Sequence, residues 1–487
     1  MNPSVNNPNS SFEKTPKHSF GLWTGYIFAI NCVVGAGFLG IPWAYSNAGW
    51  LFCFFYQIFI SLQSFYLSLQ LLESMSRAEV LLRKQEDGEV LPKLAFKQLF
   101  FSPTQQTLLS EDTSPFYKPE ITNRVINCAD LCKLAFGDKV GAGYMVCLFL
   151  YMMGTMVAYA AIFSSSFASN VPLGTLDTCD IYSSSGFYND CRWKYWIFLL
   201  LFSVITVYMT VKGIEEQQII QFIMSILRFI SLMLILITCI VNISGHRKND
   251  GAGHNSADLP PLMNPLNIGH AIPIILFASS YQVHIPTISE SINNKAKNLR
   301  SITILTVITC FVFYTLLGIL ASTAIEDVPS MASLGYRNYT GGYSRSSRPA
   351  WTYIIEYLII ISPALDVLTC FPIKALTIAD SIVTWKYGGD LGRVNKWVLF
   401  WVRFGITLLP LVVSFIVFNL GTILDWVGLL GFVIVQIPIP LLHLAFKHLV
   451  PGKSDYEVKG GVWLNWGLII VNVVLFFVVI GFNLSEY

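Results

Sequence analysis

Charge is what this sequence has least of. Only 12% of its 487 residues are Asp, Glu, Lys or Arg and 54% are hydrophobic, whereas about a quarter of a water-soluble domain is charged. Between His18 and Leu72 there is no charged residue at all, and at about 1.5 Å per helical residue such a run crosses a roughly 30 Å hydrocarbon core twice. A basic run interleaved with aromatics is also missing, which excludes nucleic acid as a partner. The ten cysteines contain no CxxC pair at zinc spacing, so they do not read as a metal site. None of His270, His284 and His443 stands in an HxxxD arrangement, and no helix carries a paired-carboxylate metal pattern. These absences disfavour an embedded acyltransferase or other membrane enzyme. The polar stretch Met1 to Phe20 lacks the charged-then-apolar pattern of a cleavable signal peptide, so the first apolar helix is expected to direct insertion. What is abundant fits a bilayer: 35 Phe, 22 Tyr and 12 Trp supply lipid-facing rings and headgroup anchors.

Apolar stretches long enough to span give an all-α polytopic protein of about eleven crossings. The first two lie before Ser74, with Asn47, Ala48 and Gly49 as their turn. A mixed-charge segment at 74–138 reads as a long loop with short amphipathic helices. Further crossings follow from Gly141, Tyr195, Ile219, Ile268, Ile302, Trp351, Trp397, Trp426 and Val462. The stretch from Trp351 to Trp385 exceeds one straight crossing and carries Glu356, Asp366, Lys374 and Asp380, so it is expected to be one long tilted helix with a polar face buried in protein. With residues 1–20 placed on the cytoplasmic side, the inner connections hold about three times as many Lys and Arg as the outer ones. The 74–138 loop is then cytoplasmic and the 326–349 loop is not. Asn338-Tyr339-Thr340 falls outside as a glycosylation sequon; Asn242 and Asn483 head two more that hug helix ends. Cys179 and Cys191 share an outer loop, where a disulfide could persist or two thiols stay free.

Irregular backbone at membrane depth survives only where it is buried or lines a polar cavity, so interrupted helices locate sites. The first crossing contains Val34-Gly35-Ala36-Gly37-Phe38-Leu39-Gly40-Ile41-Pro42, which would otherwise be a small-residue packing face. The sixth contains Pro273 and then Ala278-Ser279-Ser280-Tyr281-Gln282-Val283-His284-Ile285-Pro286, otherwise a proline kink with satisfied hydroxyls. Their pairing, five crossings apart, points to two inverted repeats of five helices with a substrate site at the breaks.

The first-helix run, with Ala44-Tyr45 and Asn47-Ala48-Gly49-Trp50 after it, resembles the signature of the amino acid/auxin permease family in the amino acid-polyamine-organocation superfamily. Gly154 to Tyr159, Pro273 to Glu290 and Asp366 to Pro372 resemble that family's third, sixth and eighth helices. The resemblance implies a LeuT-like 5+5 inverted repeat and secondary transport of an amino acid, with no prosthetic group and with Na+ or H+ as the coupling ion. It places substrate at Val34, Gly35, Ala36, Gly37, Ser279, Ser280 and Tyr281, closed over by Tyr159, for which Tyr151 is the rival. Asn31 matches a position tied to ion coupling in sodium-coupled neutral amino acid transporters, and Thr369 lies near a sodium-binding hydroxyl. Asp366 is instead either a proton carrier or the partner of Lys374 two turns along. Sodium is favoured, because Asp366 has that ion-pair explanation. Arg228 and Arg403 read as helix-end residues near headgroups. A sensing receptor on the same fold is the alternative, and the expected location is the plasma membrane or an endolysosomal membrane. Asn338→Gln is expected to abolish a glycan, read as loss of a glycosidase-sensitive mobility shift; cytoplasmic labelling of a cysteine placed beside Asn338 would invert the orientation.

Overall fold

The computed structural model describes residues 20–87, 119–121, 126–172, 190–212, 218–246, 260–290, 292–325, 327–337, 339–343, 347–387 and 394–485. Asn338 and Cys179 lie outside them, as do residues 1–19 and most of the 74–138 loop. Helices dominate because lipid offers no hydrogen-bond partner to backbone N–H and C=O groups, and a helix pairs them all internally.

The first crossing is α1 (Leu22–Val33), a 3-10 turn (Ala36–Gly40) and α2 (Ile41–Ala48). Gly49, at φ +99°, supplies the turn that the sequence suggested, a left-handed value that favours glycine. Then come α3 (Trp50–Glu86), the short α4 (Cys128–Phe136), α5 (Asp138–Asn170), α6 (Asp190–Lys212) and α7 (Gln218–His246). The sixth crossing is α8 (Ile268–Ala278), a 3-10 turn (Tyr281–His284) and α9 (Ile285–Glu290). The remainder are α10 (Lys295–Ala324), α11 (Ala350–Tyr387), α12 (Lys396–Ser414), α13 (Leu420–Gly431) continued through a π turn into α14 (Pro438–Leu449), and α15 (Val462–Ser485). Among the described residues ten segments are long and apolar enough to cross a membrane. The interrupted first crossing makes the expected eleven. Exposed Trp397, Trp401 and Trp463 lie near helix starts, where indole rings meet headgroups.

The long eighth crossing is a single helix, as its sequence required. Its 38 residues reach roughly 57 Å at 1.5 Å each, and Thr352, Glu356, Ser362, Asp366 and Thr369 are all buried along it. Glu356 pairs with Arg348 and Asp380 with Arg403 at 3.0 Å, so Arg403 is an ion-pair partner and not a headgroup contact. Two sequons are closed off: the Asn242 amide donates to the Ala324 carbonyl at 2.7 Å, and Asn483 is buried within α15. Cys191 is buried and disulfide-bonded.

The expected loop boundary at Ser74 is displaced. α3 carries on to Glu86, with Ser74, Ser76, Arg77 and Glu79 buried. Mixed charge there marks an interior network, not a solvated loop. Glu73 Oε1 accepts from Arg77 Nη2 at 2.6 Å and Nε at 3.0 Å, and Oε2 accepts from the Val458 amide at 2.9 Å and from His443 Nε2 at 3.0 Å. Arg77 also donates to the Val450 and Gly452 carbonyls. The Gln70 amide donates to Asn465 Oδ1, which leaves Asn465 Nδ2 to donate to His443 Nδ1 at 3.2 Å. The His443 ring is thereby held at both nitrogens, by Glu73 on α3 and Asn465 on α15. α3, α14, α15 and the 450–458 connection are tied together by one ion pair with its hydrogen bonds saturated. Arg77→Ala is expected to cost about 3–5 kcal/mol, since it strands a buried carboxylate, and Arg77→Ala with Glu73→Gln to cost less. Thermal unfolding in detergent reads both, and equal stability of wild type and Arg77→Ala would contradict the network.

Candidate substrate site

Both interruptions are built alike. In the first crossing Val34 and Gly35 leave helical geometry (ψ 77° and −149°), the chain tightens to a 3-10 turn, and α2 starts at Ile41-Pro42. Pro42 has no N–H to give the Phe38 carbonyl, which the Ile41 amide takes instead. In the sixth crossing α8 stops at Ala278, Ser280 turns out of the helix (ψ 62°), and a 3-10 turn leads to Ile285-Pro286. There the Ile285 amide takes the Gln282 carbonyl that Pro286 cannot serve. One local solution to a proline in a spanning helix is used twice, five crossings apart.

Glycine lets the two interruptions meet. A Cβ at Gly37 would stand 2.7 Å from the Ala278 Cα, and one at Gly428 would stand 2.1 Å from the Pro273 carbonyl oxygen. Real atoms do not approach so closely, so α8 lies between the first break and α13 with backbone against backbone. Tyr159, on α5, is 4% exposed, and its hydroxyl lies 3.4 Å from where a Gly35 Cβ would be. The sequence suggested this tyrosine as the residue that closes over substrate; in the structure it stands beside the first break. Tyr151, the rival, sits against the other break, its ring 5.9 Å from that of Phe277.

Ser279 of the sixth crossing faces α3, whereas Ser280 lies toward α13. Ser279 Oγ accepts from Gln57 Nε2 at 3.2 Å, and its carbonyl accepts from Ser64 Oγ at 3.0 Å. Ser280 Oγ donates to its own helix at Leu276, and the Tyr281 hydroxyl lies 3.5 Å from Thr303 Oγ1 on α10. Gln282 Nε2 donates to Ser64 Oγ and its carbonyl at 2.9 and 3.0 Å. Between Val33, Gln57, Ser279, Tyr281 and Thr306 is a cavity of about 10 Å³, room for one water. The Gln57, Ser64 and Gln282 contributions went unread in the sequence, because polar residues on a buried helix face show no distinguishing period.

The ion-coupling residues are arranged otherwise than expected. Asp366 pairs with Arg228 on α7, not with Lys374; the Lys374 ammonium lies 5.6 Å from the centre of the Tyr159 ring. Arg228 is 4% exposed and donates to the Asn31 carbonyl at 2.9 Å and to the Val34 carbonyl. It is no helix-end residue: ten positions into α7, it stands roughly 15 Å along the helix axis. The available signal was a lone cation deep in an apolar run, which is costly unless it has a buried partner. Thr369 Oγ1 donates to the Asp366 carbonyl of its own helix at 2.9 Å. The Asn31 side-chain oxygen is enclosed with no hydrogen-bond partner among the described residues. Near the start of α2, His270 Nδ1 and Asp425 Oδ2 are 2.7 Å apart, joining α8 to α13 beside the Trp43 ring.

Among the described residues, eleven crossings with two broken ones meeting in the interior, an aromatic beside one break and an ion pair next to it, define a multi-pass α-helical membrane protein. The chain belongs to the family described as transmembrane amino acid transporter protein, which matches residues 18–88 and 112–484. It is 24% identical to transmembrane protein 104 of Homo sapiens, over 96% of this chain and 97% of that protein. The same name is borne by a relative in Mus musculus, 25% identical over 88% of each chain, and a Caenorhabditis elegans homologue is 22% identical over 76% and 70%. Gly37→Val is expected to force α1 and α8 apart and to lower thermal stability by several degrees, whereas Gly143→Ala, with open space around it, leaves stability unchanged. Equal melting of all three proteins would remove the close approach.

Proposed function

We propose that the protein is a secondary active transporter that moves an amino acid across its membrane. The observation carrying this is the face-to-face contact of two helix breaks, Gly37 on Ala278, inside a chain of this family. A break frees backbone amides at the head of the following half-helix, whose positive dipole end suits a carboxylate. Residues 34–37 at the first break receive the substrate carboxylate, and Ser279 and Ser280 bring the second break's backbone to its other side. Tyr159 supplies a hydroxyl at Gly35 and withdraws to release substrate.

Alternating access follows from the same construction. A helix in two pieces can swing one half about the break without tearing the other from the bundle. The N-terminus is assigned to the cytoplasm on the Lys and Arg distribution, with Asn338 on the opposite face, in a plasma or endolysosomal membrane.

Counterflow into proteoliposomes tests the proposal: vesicles loaded with a mixture of the twenty unlabelled amino acids should accumulate at least one labelled amino acid from outside. Tyr159→Phe is expected to weaken its apparent affinity by about tenfold or more, the value of a hydrogen bond to a charged group. Amino acid binding by thermal shift without counterflow would make the protein a receptor, and absence of both would overturn the amino acid assignment.

A further inference from the structure

We propose that Arg228 is a resident cation: its guanidinium holds the place at the first break that a coupling metal ion would otherwise fill, so the protein has no sodium requirement there. This rests on the transporter reading for its functional meaning but not for its test.

α1 ends inside the protein, so its last carbonyls lack the amides that a continuous helix would provide, and they form the negative end of a helix dipole. Something positive or hydrogen-bonding must meet them. A sodium ion could, given several neutral oxygens at short range, and Asn31, Val34 and Thr369 stand in the region where such oxygens would come from. In this chain the two backbone carbonyls and the Thr369 hydroxyl are committed elsewhere, and only the Asn31 side-chain oxygen is left without a partner among the described residues. The Asn31 and Val34 carbonyls both accept from Arg228 Nη1, and the Thr369 hydroxyl is turned into its own helix. Arg228 Nη2 donates to Asp366, so the carboxylate that could have recruited a metal ion is already neutralised.

Arginine suits the position as lysine does not. A planar fork serves carbonyls on one helix and a carboxylate on another at once, and it keeps its charge under burial. Through these bonds α7 and α11 hold the end of α1 where substrate is received. Arg228 is thus a positioning residue, and movement of α1 requires that its carbonyls leave the guanidinium. Arg228 in that role runs against the sodium preference drawn from Asn31 and Thr369.

The test is the melting temperature of the purified full-length protein, titrated with NaCl against choline chloride at constant ionic strength and pH. Wild type should show no saturable sodium effect. Arg228→Ala should melt several degrees lower and regain stability saturably with sodium or methylguanidinium, which enter the vacated place beside Asp366. Arg228→Ala with Asp366→Asn should respond to neither cation, because no charge is left to neutralise, and Arg228→Lys should keep part of the wild-type stability while remaining insensitive to sodium. Saturable stabilisation of wild type by sodium would overturn the proposal, as would a folded Arg228→Ala indifferent to both cations. Should Arg228→Ala not fold, wild type and Arg228→Lys decide it. Because the readout is melting, a failure here is separate from a failure of counterflow.

Discussion

The need to satisfy backbone hydrogen bonds away from water governs this molecule. A helix meets it automatically, which is why the described residues are mostly helical, and an interrupted helix does not. Each interruption therefore had to be paired with something specific. At the first, two carbonyls at the end of α1 are met by Arg228, and the guanidinium is in turn balanced by Asp366. At the second, the Ser279 carbonyl is met by Ser64 on α3. Remove these partners and the irregular backbone would be too costly to keep inside a membrane.

Close packing supplies the second half of the construction. Gly37 and Gly428 place backbone directly against α8 from two sides, so α8 is gripped between the first break and α13. Small residues do this in lipid because apolar side chains gain little from leaving lipid tails, whereas close backbone approach gains dispersion contacts. The consequence is a junction in which displacement of one half-helix is felt by its neighbour.

The buried polar groups fall into two kinds. Glu73, Arg77, His443 and Asn465 form a network with its donors and acceptors matched, placed at the end of α3 away from the breaks and fastening α14 and α15 to it. Unpartnered atoms among the described residues stand at the edge of that network, at Gln70 Oε1 and Glu79 Oε2, and beside the first break, at the Asn31 side-chain oxygen and Arg228 Nε. Saturated networks stabilise one arrangement, while incompletely matched ones leave capacity for a ligand or a second arrangement.

Much was legible in the sequence because bilayer physics acts locally. The scarcity of charge between His18 and Leu72, the length of each apolar run and the Ile-Pro pairs after Gly40 and His284 fix the crossings and the positions of both breaks with no knowledge of partners. Tyr159 was singled out through resemblance, as a residue closing over substrate, and not through spacing; that its hydroxyl stands beside Gly35 is a fact of the packing. The partner of each buried charge was not legible. Lys374 is two turns from Asp366 and looked like its mate, yet the guanidinium that reaches Asp366 comes from 138 positions away. Arg228 could be recognised as unusual, but which carbonyls it would meet depends on how α7 and α11 lie against α1. The mixed charge after Glu73 likewise read as a loop, since only the packing of α3 on α14 and α15 shows that those charges neutralise one another. Local physics sets where a membrane chain is helical and where it breaks; long-range packing decides which charge faces which, because in a medium without water a charge must take its partner from whatever helix the fold brings alongside.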